Sequence, residues 1–378
     1  MSRRRQAPGP AAGPRGRGAR AAALLAAAAT LAGCDGRTVL PYTRRLCDYE
    51  LVRAVGIDAG GAGGRVTVTF SGRAGSSDDG PSVLTWAADT LAQAVQEAQA
   101  RETRHLFLGH TEYYLFGEAA ARDGLDAHFD FLTRAPDAHC GGALYLVEET
   151  TAHALLAGVG GADPADMLAS MEADRFLSSP AVTPSLSEAA GRLAARAPLL
   201  APLLRAAPTP SGGVGPVFAG YAVLRDGRLL TKLGLEDSWV VNLLAAGRRT
   251  PDTLTFPTPG GGVATLPLRD HTVRRRVCRR RDGQITALRL EVRLESEHFA
   301  PRAAVSDAAR PAETQALLRA QNAWVTQRLE AAVARAQSLG VDYLTGNGRW
   351  GPGQWGVRDW DAVFAELPVE ICVTTVVR

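Results

Sequence analysis

The chain is poor in cysteine, and its cysteines form no CxxC pair. Five are present (Cys34, Cys47, Cys140, Cys278 and Cys372), and no cysteine–histidine spacing matches a zinc site. After export a single disulfide such as Cys47–Cys140 is open, but sequence does not pair it. Long apolar runs are also missing. The longest N-terminal run, Ala21 to Leu31, is about 11 residues, or roughly 17 Å as a helix. A hydrocarbon core is about 30 Å thick, and no later stretch reaches the roughly 18 uncharged apolar residues a span needs. Lysine is nearly absent, with Lys232 standing alone among arginines. The net charge of +3 falls to near neutral without the N-terminal arginines, which leaves no case for nucleic acid.

Catalytic signatures are missing as well. No G-x-S-x-G elbow and no S-x-x-K occur. The glycine-rich stretch Asp58 to Gly64 lacks the Gly-Lys-Ser/Thr of a phosphate loop. It reads instead as a turn between strands. The acidic residues match no paired motif. His105 and His110 are five apart, a spacing that suits ligation on neither helix nor strand. His110 is therefore expected to be structural, in a turn, with its ring on backbone or a carboxylate. The sequence predicts no catalytic residue, no metal and no cofactor.

What is present begins at the N-terminus. Arg3, Arg4, Arg5, Arg15, Arg17 and Arg20 precede the apolar run, and Leu31-Ala32-Gly33-Cys34 follows it. Basic, apolar, then small residues before a cysteine is the order of a lipoprotein signal. Residues 1–33 are expected to be removed. Cys34 is expected to carry lipid and hold the rest on the outer face of a membrane. Two or three acyl chains do this firmly, whereas one does so only marginally.

Periodicity predicts strands at Leu51–Ile57 and Arg65–Phe70, a helix over Thr85–Arg101, and short strands at Leu106–Leu108 and Tyr113–Phe116. Helices from Gly117 and Leu125, a strand at Ala143–Val147 and a helix at Thr151–Leu156 follow. The segment 180–215 is rich in Pro, Ala and Gly and reads as a linker region. Arg225-Asp226-Gly227 predicts a hairpin turn, as does Arg281-Asp282-Gly283. A helix at Ser238–Leu244, a long helix at Ala312–Leu339 stopped by Gly340, a short helix at Asp359–Phe364 and a closing strand from Pro368 complete the chain. The fold class expected is α+β, multi-domain, with antiparallel and mixed sheets packed by helices. The division expected is 34–205, a linker at 206–216, and 217–378, with two subdomains in the last part as a further option.

Two surface clusters stand out. Arg274, Arg275, Arg276, Arg279 and Arg280 form the densest charge run and suit anionic headgroups or an acidic partner. Trp350, Trp355 and Trp360 lie around a glycine-rich loop. They suit either a partner surface or a plug at the end of a core.

The order of segments adds a resemblance. Val55-Gly-Ile-Asp58, Arg104-His-Leu-Phe-Leu-Gly-His110, Leu115-Phe-Gly-Glu118, Phe129-Asp-Phe131, Gly220-Tyr-Ala-Val-Leu-Arg-Asp-Gly-Arg-Leu229, Val341-Asp342, Trp355 and Asp359-Trp360 occur in one sequence order. With the lipobox, this order resembles the Ger(x)C family, the lipoprotein C subunits of spore germinant receptors. Asp35-Gly36 after Cys34 departs from the tryptophan–aspartate common in that family. The resemblance implies a subunit on the outer face of the spore inner membrane, beside two integral-membrane receptor subunits. It implies no catalytic residues. A solute-binding lipoprotein of an import system is the alternative, and it requires two similar lobes.

Overall fold

The computed structural model describes residues 45–60, 66–74, 80–159, 161–173, 182–209, 212–245, 252–258, 260–296, 310–345, 355, 357 and 359–377. The first unit is a nine-stranded mixed sheet. Strands β1 (Tyr49–Ala59), β2 (Val66–Ala74) and β3 (Pro81–Ala88) form an antiparallel meander, with Val55 opposite Phe70. Helix α1 (Leu91–Arg101) follows, then β4 (His105–Phe107) and β5 (Tyr113–Gly117), both parallel to β1. Helices α2 (Glu118–Asp123) and α3 (Asp126–Arg134) lead to β6 (Ala143–Val147), parallel to β5. Helices α4 (Ala152–Ala157), α5 (Pro164–Ala173) and α6 (Leu186–Ala194) precede β7 (Leu199–Pro208), β8 (Val214–Arg225) and β9 (Arg228–Gly234). The spatial order is β3-β2-β1-β5-β6-β7-β8-β9, with β4 beside β1.

The expected helix over Thr85–Arg101 is corrected. Val83 to Ala87 alternate exposed and half-buried, so period two wins and the segment joins the sheet. The helix starts only after Thr90, whose Oγ1 accepts from Gln93 N at 3.1 Å. The Arg101 guanidinium then folds back over the Trp86 ring at 5.2 Å.

The linker at 206–216 is also corrected. Residues 206–208 end β7 and 214–216 begin β8, and the two strands pair antiparallel from Leu199↔Leu224 to Pro208↔Val214. Proline is tolerated here because the ladder is bulged between Leu203 and Leu204, and Pro208 lies at the strand end. The hairpin is a wall shared by two cores. Leu199, Ala201, Leu203, Ala222 and Leu224 face the core of Val55, Ile57, Phe70 and Phe116. Leu200, Phe218, Tyr221 and Val223 face the core of the second unit. Period-two alternation sends neighbouring residues into different cores.

Helix α7 (Leu235–Ala245) leads into that second unit. Its sheet is β10 (Asp252–Pro257), β11 (Val263–Arg279), β12 (Ile285–Ser296) and β13 (Val369–Val377), in that order. The long helix α8 (Arg310–Ser338) covers one face, with Val325, Leu329 and Val333 against Leu290, Val292 and Leu294. Gly340, at φ +64°, stops the helix, as its position predicts. Helix α9 (Trp360–Glu366) precedes β13, which pairs parallel to β12. Together the two units make the α+β architecture expected from the sequence. Among the described residues no helix is long and apolar enough to cross a membrane.

Candidate functional site

Three polar centres and one charged hairpin concentrate the chemistry. The first lies at the end of β1. Asp58 Oδ1 accepts from Ala152 N at 2.8 Å and Oδ2 from His153 N at 2.9 Å, so a strand residue caps α4. Burial pushes the Asp58 carboxyl above its ordinary value, and the two amides pull it back. Gly56 lets α4 approach, since a Cβ there would lie 3.0 Å from Leu156 Cδ1. Asp58, Glu118, Arg122, Glu149 and Thr151 line an open cavity of about 430 Å³. Its charged groups are already paired. Glu118 meets Arg122 at 2.5 Å and Lys232 at 3.1 Å, and Lys232 meets Glu148 at 2.8 Å.

The second centre is built on Arg53 of β1. Its guanidinium makes a two-point pair with Glu112 at 3.0 and 3.1 Å and reaches Asp163 at 2.6 Å and Asp166 at 2.7 Å. Hydrogen bonding to Glu112 is the strongest of the contacts that hold Arg53 protonated. Arg73 of β2 joins through Asp163 at 2.9 Å. The cluster pins α5 to two strands. His110, at the end of a short 3-10 turn between β4 and β5, is exposed, with Nε2 3.7 Å from Glu112 Oε1. Replacing His110 with alanine is expected to change stability by less than about 0.5 kcal/mol and to leave metal content unchanged. Denaturant melts and elemental analysis check this; zinc bound stoichiometrically and lost in the variant contradicts it.

The third centre is Asp342, almost fully buried just past the end of α8. Its carboxylate accepts from Leu344 N at 3.1 Å, Thr345 N at 2.7 Å, Trp360 Nε1 at 2.5 Å and the Thr345 hydroxyl. Burial drives its pKa above the ordinary 3.8, against those hydrogen bonds. The Asp342 amide donates to Asp361 Oδ1 at 2.9 Å, and Asp361 also pairs with Arg225 of β8. Segments far apart in sequence, including Val341-Asp342, Asp359-Trp360 and the Arg225-Asp226 turn, thus meet in one network joining the two units.

This network decides the tryptophan cluster. Trp360 is 3% exposed and belongs to the core, so its reading as a contact surface is corrected. The indole N–H needs a buried acceptor, and Asp342 supplies it. Trp355 is half-buried against Trp360, with ring centroids 4.4 Å apart. Trp350 lies outside the described residues, as does Cys34. Cys47, Cys140, Cys278 and Cys372 are all free thiols, so the Cys47–Cys140 pairing that the sequence left open is not made.

The arginine run divides by strand alternation. Arg274 and Arg276 are exposed on the face of the four-stranded sheet away from α8. Arg275 points the other way and is corrected from the surface set. It is half-buried and donates to the Leu244 carbonyl oxygen, and burial lowers its pKa. Arg279 is exposed and donates to the carbonyl oxygens of Gly283 at 2.8 Å and Trp355. Arg280 is exposed at the turn, where its backbone N bonds Gln284 O at 2.9 Å. No cluster of three or more His, Cys, Asp or Glu residues suited to a metal occurs among the described residues. Sequence reasoning missed Arg53, Asp163 and the Asp58 cap. Their partners are up to 113 residues away, and no local signal marks them.

These features define a protein whose polar side chains mostly brace its own elements and whose free chemistry lies on surfaces. Residues 43–171 match the family model of the spore germination protein N-terminal domain, and residues 219–378 match that of the spore germination B3/GerAC-like C-terminal domain. The chain therefore belongs to the Ger(x)C family of spore germination proteins. Among solved structures, the crystal structure of the GerBC protein is similar at a TM-score of 0.53 and 12% identity. The match covers 87% of this chain and 99% of that one. At that identity it speaks for the fold. No curated protein matches the chain.

Proposed function

We propose that the chain is the C subunit of a nutrient germinant receptor, anchored by acylated Cys34 on the outer face of the spore inner membrane. It works there beside two integral-membrane subunits, through protein contacts and without catalysis. The observation that carries this reading is the pair of germination-family models covering both halves of the chain in order. The lipobox around Cys34 supports the anchor. The import alternative requires two similar lobes, whereas the two sheets have nine and four strands.

Deleting the gene in a spore-forming host without a paralogous receptor is expected to abolish germination in nutrient while leaving spore yield intact. Normal nutrient germination in that strain ends the proposal. Complementation with Cys34→Ala separates the anchor from the rest. The variant is expected to stay unprocessed or be shed, because no lipid chain remains to hold it. Membrane fractionation with lipid labelling reads this. A variant that stays with the membrane and carries no lipid shows that Cys34 is not the anchor.

A further inference from the structure

We propose that the tip of the β11–β12 hairpin is a second attachment, electrostatic in nature, to an anionic lipid surface. Strands of 17 and 12 residues carry the turn. Arg276, Arg279, Arg280, Arg281 and Arg289 gather there, against Asp282 and Glu370. Arg289 is paired with Glu370 at 2.7 Å. Arg279 bonds only neutral carbonyls, so its charge stands uncompensated. Arg280 and Arg281 are exposed and make no ion pair among the described residues. Arg276 lies directly across the ladder from Arg289, and its nearest carboxylate, Glu291, is 4.0 Å away. Like charges placed directly opposite destabilise a sheet, so stability does not account for this concentration.

The composition of the tip selects the occupant. Residues 279–284 read Arg-Arg-Arg-Asp-Gly-Gln, with no apolar or aromatic side chain. Tight protein interfaces centre on buried aromatic and aliphatic anchors, and the neighbouring Trp355 is turned toward Trp360. A surface of dense, mobile negative charge needs no such anchor. Clustered arginines near an anionic leaflet are drawn to its headgroups, so the tip adds an electrostatic contact to whatever the acyl chains supply. The inference rests on the proposed anchoring only in placing a leaflet nearby, and its test does not use the anchor.

The test takes the chain from residue 35, which holds every described element and both cores. Vesicles of phosphatidylcholine alone and with one-third phosphatidylglycerol are sedimented with it. Binding to the anionic vesicles only, weakened by salt, is expected. Each basic residue near an anionic leaflet contributes roughly fivefold, so Arg276→Glu with Arg280→Glu and Arg281→Glu should lower partitioning on the order of a hundredfold. A glutamine version of the triple variant, with its melting curve, guards against misfolding. The same charge change at the exposed Arg101, Arg134 and Arg205 should have a much smaller effect. The proposal is overturned if the unmodified chain ignores anionic vesicles, or if the two glutamate triples lose binding equally. Capture of an acidic peptide through these arginines without vesicle binding assigns the tip to a protein partner and also overturns it. Failure of the Cys34 experiment leaves this outcome untouched.

Discussion

Replacing Gly220 with alanine is expected to cost about 3–5 kcal/mol, among the largest effects of any single methyl group in this chain. Gly220 has φ +138°, a conformation that L side chains rarely adopt. Such backbone strain alone costs about 1–3 kcal/mol. A Cβ would also overlap the backbone carbonyl oxygen of Leu233 on β9, and backbone cannot rotate out of the way as a side chain can. The position makes matters worse. Phe218 and Tyr221 beside it fill the second core, and Ala222 fills the first. A shift of β8 therefore disturbs both. Gly234→Ala is the control, because a Cβ there meets nothing within 4 Å. Its effect is expected to stay below about 1 kcal/mol. Urea unfolding of the two variants reads the difference. Equal midpoints for Gly220→Ala and the unmodified protein show that the shared wall is not strained at this residue.

Replacing Asp342 with alanine is the second large effect, at about 3 kcal/mol or more. It orphans the Leu344 and Thr345 amides and the Trp360 indole N–H, each buried and each costing about 1–3 kcal/mol when unpaired. The interactions share one acceptor, so their costs do not simply add. Asparagine retains an acceptor for the two amides but removes the titration. The sign follows from the raised pKa. Above 3.8 the folded chain keeps the Asp342 proton after the unfolded chain has lost it. The folded state then binds more protons, so stability from this group falls as pH rises through its folded pKa. It is present in full below 3.8. The difference in stability between the unmodified protein and Asp342→Asn should shift in favour of the variant as pH rises above that value. Asp58 has a pKa raised in the same direction, but it is present in both proteins and cancels. A difference curve flat with pH contradicts the buried carboxylate. Loss of Trp360 fluorescence protection in the alanine variant alone supports the hydrogen-bond account.

Local signals were readable wherever a contact is local. The Asp226-Gly227 and Asp282-Gly283 turns, the stop at Gly340 and the closing strand all depend on residues within a few positions. Backbone angles bear this out, since Asp226, Gly227 and Gly283 all have positive φ. Reading failed where two periods competed, as at Trp86, or where one composition served two ends. Proline and glycine between 198 and 215 suit a linker as well as a bulged hairpin. The deciding contact, Leu199 with Leu224, lies 25 residues along the chain.

The candidate surfaces divided in the same way. The arginine run was visible as charge, yet only the register of β11 with β12 turned Arg275 inward and left Arg274 and Arg276 outside. Asp342 and Trp360 were visible as members of an ordered set, and 18 residues separate them. Sequence by itself determined many of the strands and helices, the turns, the lipobox motif, the family resemblance and the want of catalytic motifs, because each is carried by neighbouring residues. Tertiary structure alone decided that the supposed linker is a wall between two cores, that Trp360 is core, and that Arg53, Asp58 and Asp342 are braces. Their partners come from distant segments, and a buried charge finds its partner only when the chain has closed around it.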